Sequence, residues 1–266
     1  MDGSTSGAGP AGALPPGRLE GLLARDRAVI LAGLGGLALA GWAYLVWLVH
    51  GGVDMALMGM PRDARWGAVE AVLAFVMWSV MMLAMMLPSA APVVLLFAAL
   101  ERRRGRLART AVFVAGYLAT WGAFSAAATA LQWALQRAAI TDAGGPALGL
   151  FGAALLGAAG LYQLTPLKRA CLAHCRSPVD ALAGRWRPGR RGAFVMGARH
   201  GFFCLGCCWL LMVLLFVSGV MNLLWVALLA VLVLAEKLAP GGDRLARWSG
   251  AALVALALGL AVASQV

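Results

Sequence analysis

Long apolar stretches constrain the fold of this chain more than any other feature. Each approaches the roughly 20 residues that a helix needs to cross the hydrocarbon core of a bilayer. Backbone groups in lipid must be satisfied internally, and no stretch alternates as the strands of a membrane β-barrel do, so helices are expected. The sequence therefore predicts an all-α, polytopic membrane helix bundle of about seven transmembrane helices. The stretches are 28–49, 70–98, 110–135, 146–165, 200–218, 220–236 and 248–265.

Composition supports this class and sets the domain boundaries. The chain is 62% hydrophobic and only 12% charged, which excludes an ordinary soluble globular protein. The first residues are rich in Gly, Pro, Ser and Ala and lack a basic start followed by an apolar core, so they predict a disordered tail rather than a signal peptide. We expect a cytoplasmic tail over 1–27 and a single transmembrane domain over 28–265.

Basic residues predict the orientation. The net charge is +11, and all but three of the 22 Lys and Arg fall on one side of the predicted topology. The exceptions are Arg62, Arg65 and Arg137. The positive-inside rule then predicts that the amino terminus is inside and the carboxyl terminus outside, with a cytoplasmic Cys-containing loop over 166–199. The sequence lacks the aromatic and basic interleaving of nucleic-acid modules, so the lipid bilayer, not nucleic acid, is the expected partner of these charges.

The fifth stretch begins with a cluster of soft metal ligands. At about 100° per residue, four side chains share roughly a 100° arc of one helix face. Thiolate ligands favour Cu(I), Zn(II) and other thiophilic ions over hard cations. Free Cys also packs as a small apolar residue, so core filling is the alternative. The four candidate ligands are His200, Cys204, Cys207 and Cys208.

A second group of ligands follows the fourth stretch. On a helix, Cys171, His174 and Cys175 would share one face, which would make a three-ligand metal site. The alternative is a pair of reduced cytoplasmic thiols, because structural disulfides are rare in that compartment.

The second stretch carries a methionine stripe. Its thioethers are soft ligands, although Met is also a flexible core filler, and the five residues cover too much of the helix to face one site. Pro88 and Pro92 follow and predict a kink or break. In the loop His50–Ala68, Asp54 and further Met residues are candidates for an outer site that captures the metal ion. The stripe consists of Met77, Met81, Met82, Met85 and Met86.

Two charged residues end the sixth stretch. Glu236 and Lys237 would form an intramembrane ion pair or a proton-linked carboxylate if they lay inside the bundle, and an interfacial helix end is the simpler interpretation. The sequence contains no nucleotide-binding loop motif, which argues against direct ATP-driven transport.

Three segments carry a family resemblance. They are Met77–Pro92, the run from Tyr162 to Cys175, and Gly201–Met221 with its Gly-x-x-Cys-x-Gly-Cys-Cys-Trp core. Across about 28–265 the chain resembles a bacterial family of predicted metal-binding integral membrane proteins, catalogued as a domain of unknown function. The resemblance implies a multi-pass protein of the bacterial inner membrane that is involved in copper handling. It also implies that ten of the candidate ligands fall on family motif positions: Met81, Met82, Met85, Met86, Cys171, His174, Cys175, Cys204, Cys207 and Cys208.

These observations favour a non-enzymatic membrane protein that binds a soft metal ion and transports it or hands it over. Cu(I) is the expected ion, zinc or another thiophilic ion is the alternative, and a metallochaperone or a membrane complex is the expected protein partner. A membrane thiol–disulfide oxidoreductase is a second hypothesis, but it gives the methionine stripe no role. A structural or assembly partner of a membrane complex is the third, with the sulfur residues only packing.

Overall fold

A computed structural model describes residues 16–51, 66–101, 106–138, 149–182 and 186–263. These residues are helical apart from short turns, with no strand among them, so the all-α prediction is confirmed for this part of the chain. The helices are α1 Pro16–His50, α2 Ala68–Leu100, α3 Arg106–Arg137, α4 Leu150–Gln163, α5 Pro166–Arg176, α6 Pro178–Leu182, α7 Gly189–Val213, α8 Leu215–Ser218, α9 Leu223–Leu238 and α10 Gly242–Ala263.

Five helical segments are long and apolar enough to cross a membrane, or six if the bent pair α4–α5 is one span. The predicted number was about seven. The difference lies in α4 and α9. Helix α4 has 14 residues and reaches span length only together with α5. Helix α9 has 16 residues and is therefore about 24 Å long, short of the roughly 30 Å hydrocarbon core. The five segments are Arg25–His50, Ala68–Leu100, Arg106–Arg137, Gly189–Ser218 and Gly242–Ala263.

Helices lie within two of the segments that the sequence analysis delimited. Helix α1 begins at Pro16, and residues 166–199 include α5, α6 and the start of α7. The division into a tail over 1–27 and a transmembrane domain over 28–265 stays a prediction. Asp54 and the methionines of the proposed capture loop lie outside the described residues.

Local sequence signals set where the site-bearing helices begin. Thr165 caps α5 by accepting a hydrogen bond from the Lys168 amide, and Pro166 occupies the first turn, where its missing amide hydrogen costs nothing. Helices α4 and α5 are bent by 63° at this point. Asn222 caps α9 in the same way through the Trp225 amide. The two caps place α5 and α9 against α7.

Helix α2 continues through both prolines. The expectation of a break at Pro88 or Pro92 is wrong, because α2 is one helix from Ala68 to Leu100. The hydroxyls of Ser89 and Tyr117 both donate to the Met86 carbonyl, at 2.8 and 3.0 Å. Side-chain hydroxyls and neighbouring helices commonly satisfy the backbone near a proline inside a membrane helix.

Helices α3 and α7 pack closely along their lengths. At Gly197 a Cβ atom would collide with the backbone carbonyl of Phe113, so only glycine allows this approach. The close contact brings Cys204 of α7 within 3.1 Å of the Tyr117 hydroxyl of α3, and α5 packs against α7 as well.

Candidate metal centre

Three cysteines of α7 form the centre of the candidate site. Cys204, Cys207 and Cys208 are each 1% exposed, and their spacing of three and four residues places them on one face of the helix. The thiols of Cys207 and Cys208 both donate to the Cys204 carbonyl, at 3.1 and 3.0 Å. The sequence prediction that these three residues lie together is consistent with this geometry.

Cys204 contacts polar groups from two other helices. Its sulfur lies 2.9 Å from the Lys237 Nζ of α9 and 3.1 Å from the Tyr117 hydroxyl of α3. Lys237 also donates to the Ser89 hydroxyl of α2 at 3.2 Å. The Cys204 sulfur therefore faces an ammonium group inside the bundle.

Cys208 connects the cysteine cluster to the methionine stripe. Its sulfur lies 3.9 Å from the sulfur of Met86, which is fully buried. The other four members of the stripe, Met77, Met81, Met82 and Met85, are buried in the hydrophobic core.

Cys175 joins the cluster from α5. Its thiol lies close enough to that of Cys207 for the two to interact electrostatically. Cys171 lies one turn earlier, partly exposed, beside Gly206: a Cβ atom at Gly206 would be 2.9 Å from the Cys171 sulfur. The structure thus brings Cys175 to the α7 thiols and places Cys171 at the edge of the group.

The two histidines pack against aromatic rings. His200 is buried, with its ring 5.6 Å from that of Tyr117 and 6.4 Å from that of Phe113. Its Nδ1 atom has no hydrogen-bond partner among the described residues. His174 stacks on Phe203 with ring centroids 3.9 Å apart.

Within the described ranges, no three His, Cys, Asp or Glu side chains converge in the arrangement of a metal site. The orientation of the thiols accounts for this: Cys207 and Cys208 point back at the carbonyl of their own helix.

Sequence reasoning missed three residues of this centre. Lys237 was expected at an interfacial helix end, but the structure buries it and its neighbour Glu236, which are 4% and 1% exposed. Tyr117 and Ser89 carried no signal beyond being polar groups in apolar helices. Buried Tyr and Lys side chains need polar partners. The sequence could therefore have marked Tyr117 and Lys237 as candidates, but it could not show which groups they contact.

A comparison with known families shows which family this chain belongs to. A family model, PpoB2, described as a copper chaperone, matches residues 75–260. The chain belongs to this copper chaperone family. No curated protein and no solved structure matches the chain. The matched region contains all twelve candidate ligands and the helices that carry them, so a copper-related function is established for the domain that builds the site.

Proposed function

We propose that this chain is an integral membrane copper chaperone that binds Cu(I) at the α7 cysteines and exchanges it with the methionine stripe of α2. The contact between the Cys208 and Met86 sulfur atoms, 3.9 Å apart, carries the proposal. It joins two segments that lie far apart in the sequence and that both consist of soft ligands. Membership of a copper chaperone family makes copper the first choice of ion.

The ligand set suits an ion that is handed over. Cu(I) is satisfied by few ligands, and the cluster offers several thiols and one thioether within a small volume. Binding by two thiols forms two copper–sulfur bonds and releases two protons, one from each thiol. Sites with several alternative ligands let an ion bind and leave again, which conduction or hand-over requires.

The membrane setting is part of the proposal. Five or six helical segments have the length and hydropathy to span a bilayer, and the basic residues favour an inside amino terminus. Reporter fusions after Arg106 should read cytoplasmic, and a carboxyl-terminal fusion should read external. A carboxyl terminus that reads cytoplasmic would contradict the seven predicted spans and would point to the short helix α9 as a segment that does not cross.

Cu(I) binding to purified full-length protein tests the copper site. We expect wild-type protein in detergent, titrated anaerobically against a Cu(I) competitor, to bind the ion, and the Cys204→Ser/Cys207→Ser/Cys208→Ser variant to lose that binding. Zn(II) titrated in parallel decides between the two ions. Equal Cu(I) stoichiometry and affinity in both proteins would refute the site and leave helix packing as the role of these cysteines.

The exchange step has its own test. Met86→Leu removes the thioether that touches Cys208, while Met77→Leu makes the same change more than two turns away on the same helix. Leu and Met have similar volumes, so each change should cost less than about 1.5 kcal/mol of stability. We expect Met86→Leu to slow Cu(I) transfer to an external chelator more than Met77→Leu does. Equal transfer rates would remove Met86 from the proposal.

A further inference from the structure

Lys237 is a buried cation that forms no ion pair with a carboxylate of the described residues. Its side chain is 4% exposed, and the ion pairs among the described residues do not include it. Its Nζ contacts the Cys204 sulfur at 2.9 Å and the Ser89 hydroxyl at 3.2 Å. Its ionisable neighbours are thiols, one phenol and one imidazole: Cys175, Cys204, Cys207, Cys208, Tyr117 and His200.

The neighbouring carboxylate is already engaged. Glu236, the residue before Lys237, pairs with Lys168 at 2.5 Å and accepts a hydrogen bond from Gln163 at 2.8 Å. A buried ammonium that lacks a counter-charge is costly. The group placed to balance Lys237 is therefore the sulfur cluster, with Cys204 in direct contact.

A charge count links this lysine to the cargo. The thiol of Cys208 donates to the Cys204 carbonyl at 3.0 Å, and its sulfur touches the neutral thioether of Met86. When two thiols take up Cu(I), two protons leave and the resulting copper dithiolate carries one negative charge. The Lys237 ammonium brings the sum to zero. A divalent ion on the same two thiolates would leave one uncompensated positive charge in the buried site.

We infer that Lys237 is a positioning residue for the copper site: its fixed positive charge neutralises the Cu(I) complex of Cys204 and Cys208 and makes the site prefer a monovalent over a divalent ion. This inference rests on the proposed function, because it concerns the affinity of the same thiols. It adds a residue that is not a metal ligand and assigns it a role in selecting the charge of the ion.

Paired metal titrations of two variants test the inference. Lys237→Leu removes the charge without adding a sulfur ligand, and Lys237→Arg keeps it. We expect Lys237→Leu to weaken Cu(I) binding by at least about tenfold, since at the effective dielectric of a protein interior a charge a few ångströms away contributes more than that factor. Zn(II) affinity should stay the same or rise, and Lys237→Arg should keep most of the Cu(I) preference. Arg247→Met, which removes an exposed charge from α10, is the control for net charge.

The outcomes separate this inference from the proposed function. If wild-type protein binds Cu(I) and Lys237→Leu binds it equally well, or loses Cu(I) and Zn(II) affinity to the same extent, the inference is overturned and the copper site stands. If wild-type protein binds no Cu(I), both are overturned. Size-exclusion chromatography and circular dichroism verify folding. If Lys237→Leu does not fold, Lys237→Gln replaces it, with the same expected loss of Cu(I) preference and the same outcomes overturning the inference.

Discussion

Glu236 and Lys237 are adjacent on α9, yet they sit in opposite kinds of environment. Glu236 belongs to a closed network: Lys168 neutralises it, and Gln163 and Ser249 hydrogen-bond to its other oxygen. Lys237 faces sulfur, a phenol and a serine hydroxyl. The first cluster is electrically complete within the protein, whereas the second becomes complete when the thiols carry negative charge. The contrast separates a structural ion pair from the positive charge that we propose neutralises the bound Cu(I) complex.

The two clusters also differ in what they hold together. The Glu236 network joins α4, α5, α9 and α10 through one carboxylate. The Lys237 cluster joins α2, α3, α7 and α9 around Cys204. Substitutions in the first should act mainly on stability, and substitutions in the second mainly on copper. Four measurements test this division, in order of decreasing expected effect.

The largest effect is expected from breaking the closed ion pair. Lys168→Met leaves Glu236 buried without its counter-charge, which should cost about 3–5 kcal/mol of stability. Thermal or denaturant unfolding in detergent measures the loss. The double variant Lys168→Met/Glu236→Leu should recover a large part of it, because no lone charge remains. A single variant as stable as wild-type protein would show that the pair does not stabilise the bundle.

A smaller loss is expected on the sulfur side of Lys237. Cys204→Ala removes the group that the ammonium contacts, which should cost about 1–3 kcal/mol for a buried donor left without its partner. Adding Lys237→Met should restore part of this stability. The double-mutant cycle reports the coupling between the two side chains. Additive costs would mean that Lys237 and Cys204 do not interact.

Removing Lys237 alone should cost less again in the metal-free protein. Methionine fills a similar volume, and the Cys204 sulfur left behind can take up a proton and behave as a small apolar group. We expect Lys237→Met to change the unfolding free energy by no more than about 1.5 kcal/mol. A loss as large as that of Lys168→Met would show that Lys237 acts mainly on stability. The two clusters would then not differ in role.

The helical framework could be predicted from the sequence because apolar length is a local property. The stretches around 28–49, 70–98 and 110–135 lie inside α1, α2 and α3. The predictions that failed concerned features that depend on contacts with neighbouring helices. Pro88 does not end α2, and the prediction of a break could not include the hydroxyl of Tyr117 from α3.

Ligand softness predicted copper, in agreement with the family match, whereas the ligand set of the site stays a prediction. Periodicity placed the three α7 cysteines on one face. Periodicity could not tell which methionine reaches the thiols, since that depends on how α2 and α7 cross. Lys237 ends an apolar stretch, which is where snorkelling lysines also occur, so its sequence position gave no sign that it turns inward to Cys204.

The smallest effect distinguishes the two cysteines of α5. Cys175 is an electrostatic neighbour of Cys207, whereas Cys171 lies beside Gly206 at the edge of the cluster. We therefore expect Cys175→Ser to weaken Cu(I) binding a few-fold and Cys171→Ser to leave it unchanged, with both variants as stable as wild-type protein. Each replacement is the same sulfur-to-oxygen change on the same helix, so the pair controls for the chemistry of the substitution. A larger effect from Cys171→Ser would indicate that copper binds towards the outer face of α5 rather than beside Lys237. The Lys237 ammonium would then not be the group that neutralises the copper complex.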